Sequence, residues 1–282
     1  MKTAIIDVGG GMRGIYAAGV LDCCLDEHIR FDRGIGISAG SANLSSFFAG
    51  QRGRNKQFYT EYSFRKEYMS LHNFLTRRSF LDLDYIYGTL SNSDGENPLD
   101  YPALAANPAE FYVLACNALT GETKCFGKED IAQDRYDVLK ASSAIPFVCK
   151  PYVIGGVPYY DSALGDTIPI YLALDCDKIV LILTKPRHVL RTSGKDSFFA
   201  KRIEKQYPRA AERLRTRAER YNAGVAKAIE LEKAGKALIV APEDTEGVDT
   251  LTRDKEAFER LYTRGYMDGK RIRSFVGEAA VK

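Results

Sequence analysis

Residues 4–8, Ala-Ile-Ile-Asp-Val, run straight into Gly9-Gly10-Gly11-Met12-Arg13-Gly14, and residues 34–37, Gly-Ile-Gly-Ile, run straight into Ser38-Ala39-Gly40. Each is a short run of strand length that ends in glycine-rich punctuation. Helical spacing follows both. From Met12 to about His28 the apolar members are Ile15, Ala18, Val20, Leu21 and Leu25, and Ala39–Ala49 is a small-residue helix closed by Gly50. Strand–helix–strand–helix within fifty residues is the pattern of a parallel sheet with right-handed crossovers. The expected fold class is therefore α/β, with three α/β/α layers and a mostly parallel central sheet.

Working outward, residues 55–105 read as helical and irregular, with a polar break from Ser91 to Pro98. An insertion of that length between core elements, about 52–105, is a natural lid or entrance. Phe111–Asn117 is a strand, with Thr123–Phe126 its hairpin partner across Thr120-Gly121, and Arg135–Ser143 is a helix stopped by Pro146. Gly155-Gly156 turns the chain into the strand Val157–Tyr160, which Asp161 ends. Lys178–Thr184 is apolar enough for the middle of a sheet. Beyond it the character changes. Leu214, Ala218, Tyr221, Val225 and Ile229 mark a long amphipathic helix stopped by Gly235, Ala237–Ala241 is a further strand, and Lys255–Met267 is a last helix. The expected organisation is a catalytic core over 1–190 and a C-terminal elaboration over 191–282 that packs on it.

Bulk properties exclude several function classes. The chain has 282 residues, 45% of them hydrophobic, enough for one large core. No apolar run approaches the ~20 residues that span a bilayer, and the N-terminus lacks a signal-peptide pattern. A cytoplasmic location, with peripheral contact at the inner membrane surface, is the expectation. Six cysteines and three histidines show neither CxxC nor HExxH spacing, so no metal site and no cofactor is expected. A net charge of +3 is too small to imply nucleic acid. Its distribution is uneven. Residues 51–80 carry seven Lys/Arg against Glu61 and Glu67, interleaved with aromatic rings, and residues 195–236 carry twelve Lys/Arg against six acids. Both stretches could face an anionic surface, or be ordinary solvated helix faces.

Three elements carry chemistry. Gly36-Ile37-Ser38-Ala39-Gly40 is a GxSxG turn at a strand-to-helix junction. A serine there is forced into strained backbone geometry that lifts its Oγ clear, and only small neighbours two positions away tolerate the approach. The helix that starts at Ala39 aims its positive end at the serine. Gly9-Gly10-Gly11-Met12-Arg13-Gly14 can converge backbone N–H groups on one point, as an oxyanion hole requires, with Arg13 adding fixed positive charge. The same run satisfies GxGxxG, the dinucleotide fingerprint, but the acidic residue that reading needs, Asp32, precedes the second strand instead of ending it. Asp161-Ser162-Ala163 ends a strand where ligands bind in α/β sheets, although an aspartate there is also an ordinary helix cap.

In that order and separation, over residues 3 to about 185, these elements resemble the patatin-like phospholipase family. The resemblance implies a patatin-like fold, a Ser38–Asp161 dyad in place of a Ser–His–Asp triad, and Gly9 to Gly14 as the oxyanion loop. Ala141–Pro146 and Asp166–Ile170 also look like family sequence, and residues 195–267 resemble the C-terminal region of bacterial members. Two departures are Val8, where plant members carry aspartate, and Ser162, where the family carries glycine after the catalytic aspartate. The expected activity is acyl-ester hydrolysis on a lipid substrate, with the basic, aromatic 51–80 segment at a lipid interface. Two other readings stand beside it. His188 could complete a triad in the chain order Ser38, Asp161, His188, or the chain could be a lipid-binding module without turnover.

Overall fold

The computed structural model describes residues 1–277 and residue 280. Its strands are β1 (Thr3–Asp7), β2 (Arg33–Ile37), β3 (Glu110–Asn117), β4 (Thr123–Gly127), β5 (Tyr152–Ile154), β6 (Val157–Asp161), β7 (Lys178–Ile182) and β8 (Ala237–Val240). The helices are α1 (Ile15–Asp26), α2 (Ala39–Phe48), α3 (Arg54–Thr60), α4 (Leu71–Arg77), α5 (Tyr101–Ala106), α6 (Asp137–Ser142), α7 (Gly194–Ile203), α8 (Pro208–Arg215), α9 (Arg217–Lys233), α10 (Lys255–Gly269) and α11 (Arg271–Val276). The sheet runs β5–β6–β3–β2–β1–β7–β8, and β4 pairs with β3 off that path. The neighbours from β3 to β8 along this path are all parallel. This is the expected mixed α/β architecture with a mostly parallel sheet.

Alternation within the strands builds the two faces. Ile5, Val180, Ile182, Leu238 and Val240 pack with α1, α2 and α10 in one apolar cluster. Their neighbours Ala4, Ile6, Ile179, Leu181 and Ile239 turn to the other face, against Tyr221, Val225 and Ala228 of α9. A third cluster joins Cys116 and Tyr160 to Ala200, Ile203 and Leu214 of α7 and α8. The C-terminal third thus contributes a strand and helices on both faces.

Several boundaries differ from the sequence reading, each for a local reason. Gly11–Gly14 forms a 3-10 turn, so α1 begins only at Ile15. The long amphipathic pattern is two helices, broken at Thr216. β5 is too short, at three residues, to carry a periodic signal, yet it forms a hairpin with β6 across Gly155-Gly156. The 52–105 insertion holds short helices and a wide turn at Tyr85–Thr89. Five of the six cysteines are buried and all are free; Cys125 is exposed.

Candidate active site

β3 acts as the ruler that sets the site. Leu114 pairs with Ile37 of β2 on one edge and with Cys125 of β4 on the other. One residue on, Ala115 pairs with Lys124 of β4 and with Asp161 of β6. β6 therefore takes over the edge that β2 vacates when the chain turns at Ser38. Asp161 arrives antiparallel, from the opposite direction, beside the position where Ser38 leaves the sheet.

Ser38 has φ 57° and ψ −133°, a conformation that costs a non-glycine residue about 1–3 kcal/mol. Its neighbours make that geometry possible. A Cβ on Gly9 would lie 2.3 Å from the Ile37 carbonyl, and one on Gly40 would lie 2.3 Å from the Asp7 carbonyl. Glycine at both positions lets the loop after β1 lie directly on the Ser38 turn. Ser38 and Asp161 are both almost fully buried. The 141–146 segment braces the pair: the Ser38 amide donates to Ser142 Oγ at 2.8 Å, and the Asp161 amide donates to the Ala144 carbonyl at 2.9 Å. Asp161 also accepts from the Ala163 amide at 2.8 Å. Burial pushes the Asp161 carboxyl up to about 6, against the opposing pull of the Ser38 side chain and the Ala163 amide.

The glycine loop is supported from below by residues that no sequence motif marks. Asp7, fully buried, accepts from the Gly9 amide at 2.9 Å and from Asn43 Nδ2 at 3.1 Å. Asn43 also donates to the Gly14 carbonyl and accepts from Tyr59 Oη. Thr184 Oγ1 donates to the Gly9 carbonyl. Of the loop's own donors, the Met12 amide is taken by the Thr250 carbonyl at 3.0 Å. Arg13 turns the same way, onto Asp249 and Thr250. The amides of Gly10 and Gly11 have no hydrogen-bond partner among the described residues.

Ser38 opens onto two spaces. One is a narrow cavity of about 80 Å³, with Phe58, Tyr68, Met69, Leu83 and Ile86 of the insertion in its wall. The other is a cleft of about 870 Å³ that also contains Asp161, the glycine loop and residues of the C-terminal third. His188 is exposed and lines neither space. Asp32 is occupied at the far end of the sheet, accepting from the Thr3 amide at 2.7 Å. Much of the 51–80 basic charge is already paired or buried. Arg52 pairs with Asp26, Lys56 with Glu259, Arg65 with Glu96 and Arg77 with Asp82, while Arg54 is buried on Ser46 and Ser91.

A serine on a strand-to-helix turn with a glycine loop laid on it, and a buried aspartate beside it, define an α/β protein organised around that turn. The chain belongs to the patatin-like phospholipase family, whose sequence model matches residues 8–174. Residues 207–276 match a domain of unknown function, DUF6363. A relative, the uncharacterized protein YjjU of Escherichia coli K12, is 30% identical over 198 residues, which cover 68% of this chain and 54% of YjjU. The matched region thus spans about half the length of that relative. The solved structure of VipD from Legionella pneumophila superposes with a TM-score of 0.57 at 12% identity, covering 96% of this chain and 66% of VipD, a likeness of fold. No described helix is long and apolar enough to cross a membrane.

Proposed function

We propose that this chain is a lipid acyl hydrolase in which Ser38 is the nucleophile and Asp161 its base. The observation that carries the reading is the β3 register, which sets Ser38 and Asp161 side by side in a buried site under a loop with two amides unpartnered among the described residues. Ser38 Oγ attacks the ester carbonyl as its proton passes to the Asp161 carboxylate. The tetrahedral oxyanion is held by Gly10 and Gly11, each such donor being worth about 3 kcal/mol. Met12, Arg13 and Gly14 shape the loop, since the Met12 amide is committed to Thr250. Collapse expels the alcohol, which takes the proton back from Asp161, and leaves an acyl-enzyme. Asp161 then deprotonates a water that attacks the acyl carbonyl, and collapse of the second tetrahedral intermediate returns that proton from Asp161 to Ser38 Oγ as the fatty acid leaves. A carboxyl raised to about 6 is a better base than an ordinary aspartate and is still ionised near neutrality.

The narrow cavity suits an acyl chain, because its walls are mainly apolar. Contact with a lipid surface is assigned to α4, where Leu71, Phe74 and Leu75 are exposed beside Lys66 and Arg78, whose charges are unpaired among the described residues. Labelling with a fluorophosphonate tests the reading. Stoichiometric modification, abolished by Ser38→Ala and retained in His188→Ala, is the expected result. Absence of label together with intact p-nitrophenyl esters would instead favour a binding module, and loss of esterase activity in His188→Ala with activity kept in Asp161→Ala would favour a triad.

A further inference from the structure

The chain does not run free after Asp161. The 3-10 turn Ser162–Leu164 follows at once, and the Asp161 carboxylate accepts from the Ala163 amide at 2.8 Å, so the turn fixes the direction of the carboxylate. The carbonyls at the far end of that turn are held by two arginines of the C-terminal third. Arg220 of α9 donates from Nη2 to the Leu164 carbonyl at 2.7 Å, and Arg213 of α8 donates to the Gly165 carbonyl at 3.1 Å. The same Nη2 of Arg220 also donates to the Arg213 carbonyl, which ties α9 to α8 at this point. The turn is pressed against β4 as well: a Cβ on Gly165 would lie 2.5 Å from Thr123 Oγ1.

As charges, the two arginines are badly matched. Arg220 has no ion pair among the described residues, and Asp166, 3.6 Å from Arg213, also accepts from Tyr171 Oη. Nε of both arginines and Nη1 of Arg220 are buried without a hydrogen-bond partner among the described residues. Burial, then Arg213, press the Arg220 guanidinium down to about 10. A cation kept from water without a carboxylate is a poor stabiliser of a fold. What Arg220 does supply is a directed N–H group, aimed at the main chain three residues beyond Asp161.

We propose that Arg220, with Arg213 beside it, is a positioning residue for Asp161: by holding the Leu164 and Gly165 carbonyls it keeps the 161–165 turn closed and the carboxylate aimed at Ser38. The inference rests on the hydrolase reading and gives residues 207–276, which match a domain of unknown function, a part in the reaction. Neither arginine lines the cleft or the narrow cavity, so their loss acts on turnover and leaves substrate binding alone. The charges that bear directly on Asp161 are those of Arg217 and Arg191. Ser38 and the side chains of Tyr87, Cys116 and Cys149 around it are neutral, burial pushing the phenol and both thiols up.

The deciding experiment uses the full chain and p-nitrophenyl butyrate. Arg220→Met keeps the length and packing of the stem and removes the N–H groups. It should melt no lower than the parent, keep KM within about twofold and lower kcat about tenfold. The acid limb of its kcat/KM profile should move up by about half a pH unit, because the freed turn withdraws the Ala163 amide that helps to keep Asp161 ionised. Arg220→Lys, which keeps a donor and a charge, should recover most of kcat and return the limb, and the exposed Arg202→Met should match the parent throughout. Arg213→Met repeats the measurement at the Gly165 carbonyl and decides the matter if Arg220→Met does not fold. Parental kcat and pH profile in the variants overturn the inference. So does a loss of activity that merely follows the folded fraction while the acid limb stays fixed. Parent protein that is inert toward the ester and unlabelled by the fluorophosphonate overturns the hydrolase reading itself, a result read before any variant is made.

Discussion

Asp7 and Asp161 are both carboxyls shut away from solvent, and burial raises each from the usual aspartate value to about 6. The sign of the consequence follows from proton binding. Between about pH 4 and pH 6 the folded chain keeps protons that the unfolded chain has released, so these two groups make stability fall as pH rises through that window. Above pH 6 each costs about 3 kcal/mol relative to its protonated form. For Asp161 the charge that costs stability is also the proposed base. Activity should therefore rise through pH 6 to a plateau, and Asp161→Asn should abolish it. Asparagine keeps an acceptor for the Ala163 amide but carries no charge. The variant should melt several degrees above the parent at pH 7.5 and close to it at pH 4.5. Equal melting temperatures at pH 7.5 would show that the carboxylate is not penalised. Ser38, Gly9 to Gly14 and Asp161 are legible in the sequence because each occupies a local pattern that restricts residue type. Asp7 is not, because nothing in Ala-Ile-Ile-Asp-Val distinguishes a carboxylate under the loop from one in a strand facing solvent.

At the scale of elements, the short α6 and the 141–146 segment do more than their length suggests. Ser142 Oγ accepts from the Ser38 amide and lies 3.0 Å from Ser41 Oγ, so one hydroxyl ties α6 to both ends of the Ser38 turn. Ser142→Ala leaves the buried Ser38 amide without a partner, at about 1–3 kcal/mol. The expected result is a protein that still folds but has kcat lowered about tenfold, with KM little changed, because the proposed nucleophile loses its positioning and the pocket does not. Activity equal to the parent would mean that the strained turn is held by the glycine contacts alone. In the sequence, 141–146 is family-like but without a visible role, since Ser38 and Ser41, the partners of Ser142, lie a hundred residues away. The insertion is legible as an entrance. That its arginines Arg52, Arg77 and Arg65 are paired with Asp26, Asp82 and Glu96 is not, because ion pairing leaves no periodic trace.

Across the whole molecule, the C-terminal third is tied to the start of the chain by α1 and α10. Tyr16 of α1 donates to Asp268 of α10 at 2.8 Å, and in return Tyr262 and Tyr266 donate to Asp22 and Asp26, each at 2.8 Å. The helices approach until backbone meets backbone: a Cβ on Gly265 would lie 2.0 Å from the Tyr16 carbonyl, and one on Gly19 would lie 2.1 Å from the Tyr262 carbonyl. α1 follows directly on the glycine loop, so pressure at this crossing reaches the proposed oxyanion hole through one rigid element. We propose on this basis that residues 191–282 are an integral layer packed on the 1–190 core and not an independent module. Gly265→Ala puts two effects in opposition. Helix propensity favours alanine by about 0.8–1 kcal/mol, while forcing two packed helices apart costs about 1–3 kcal/mol. Packing wins if the layer is integral. The variant should then lose about 1–2 kcal/mol in urea unfolding, in a single transition, and lose esterase activity alongside. Gly194→Ala, where an added methyl meets nothing within 4 Å, supplies the comparison and should be neutral or slightly stabilising. A Gly265→Ala protein with two separate transitions, the first without effect on activity, would mean that the C-terminal third folds and fails on its own.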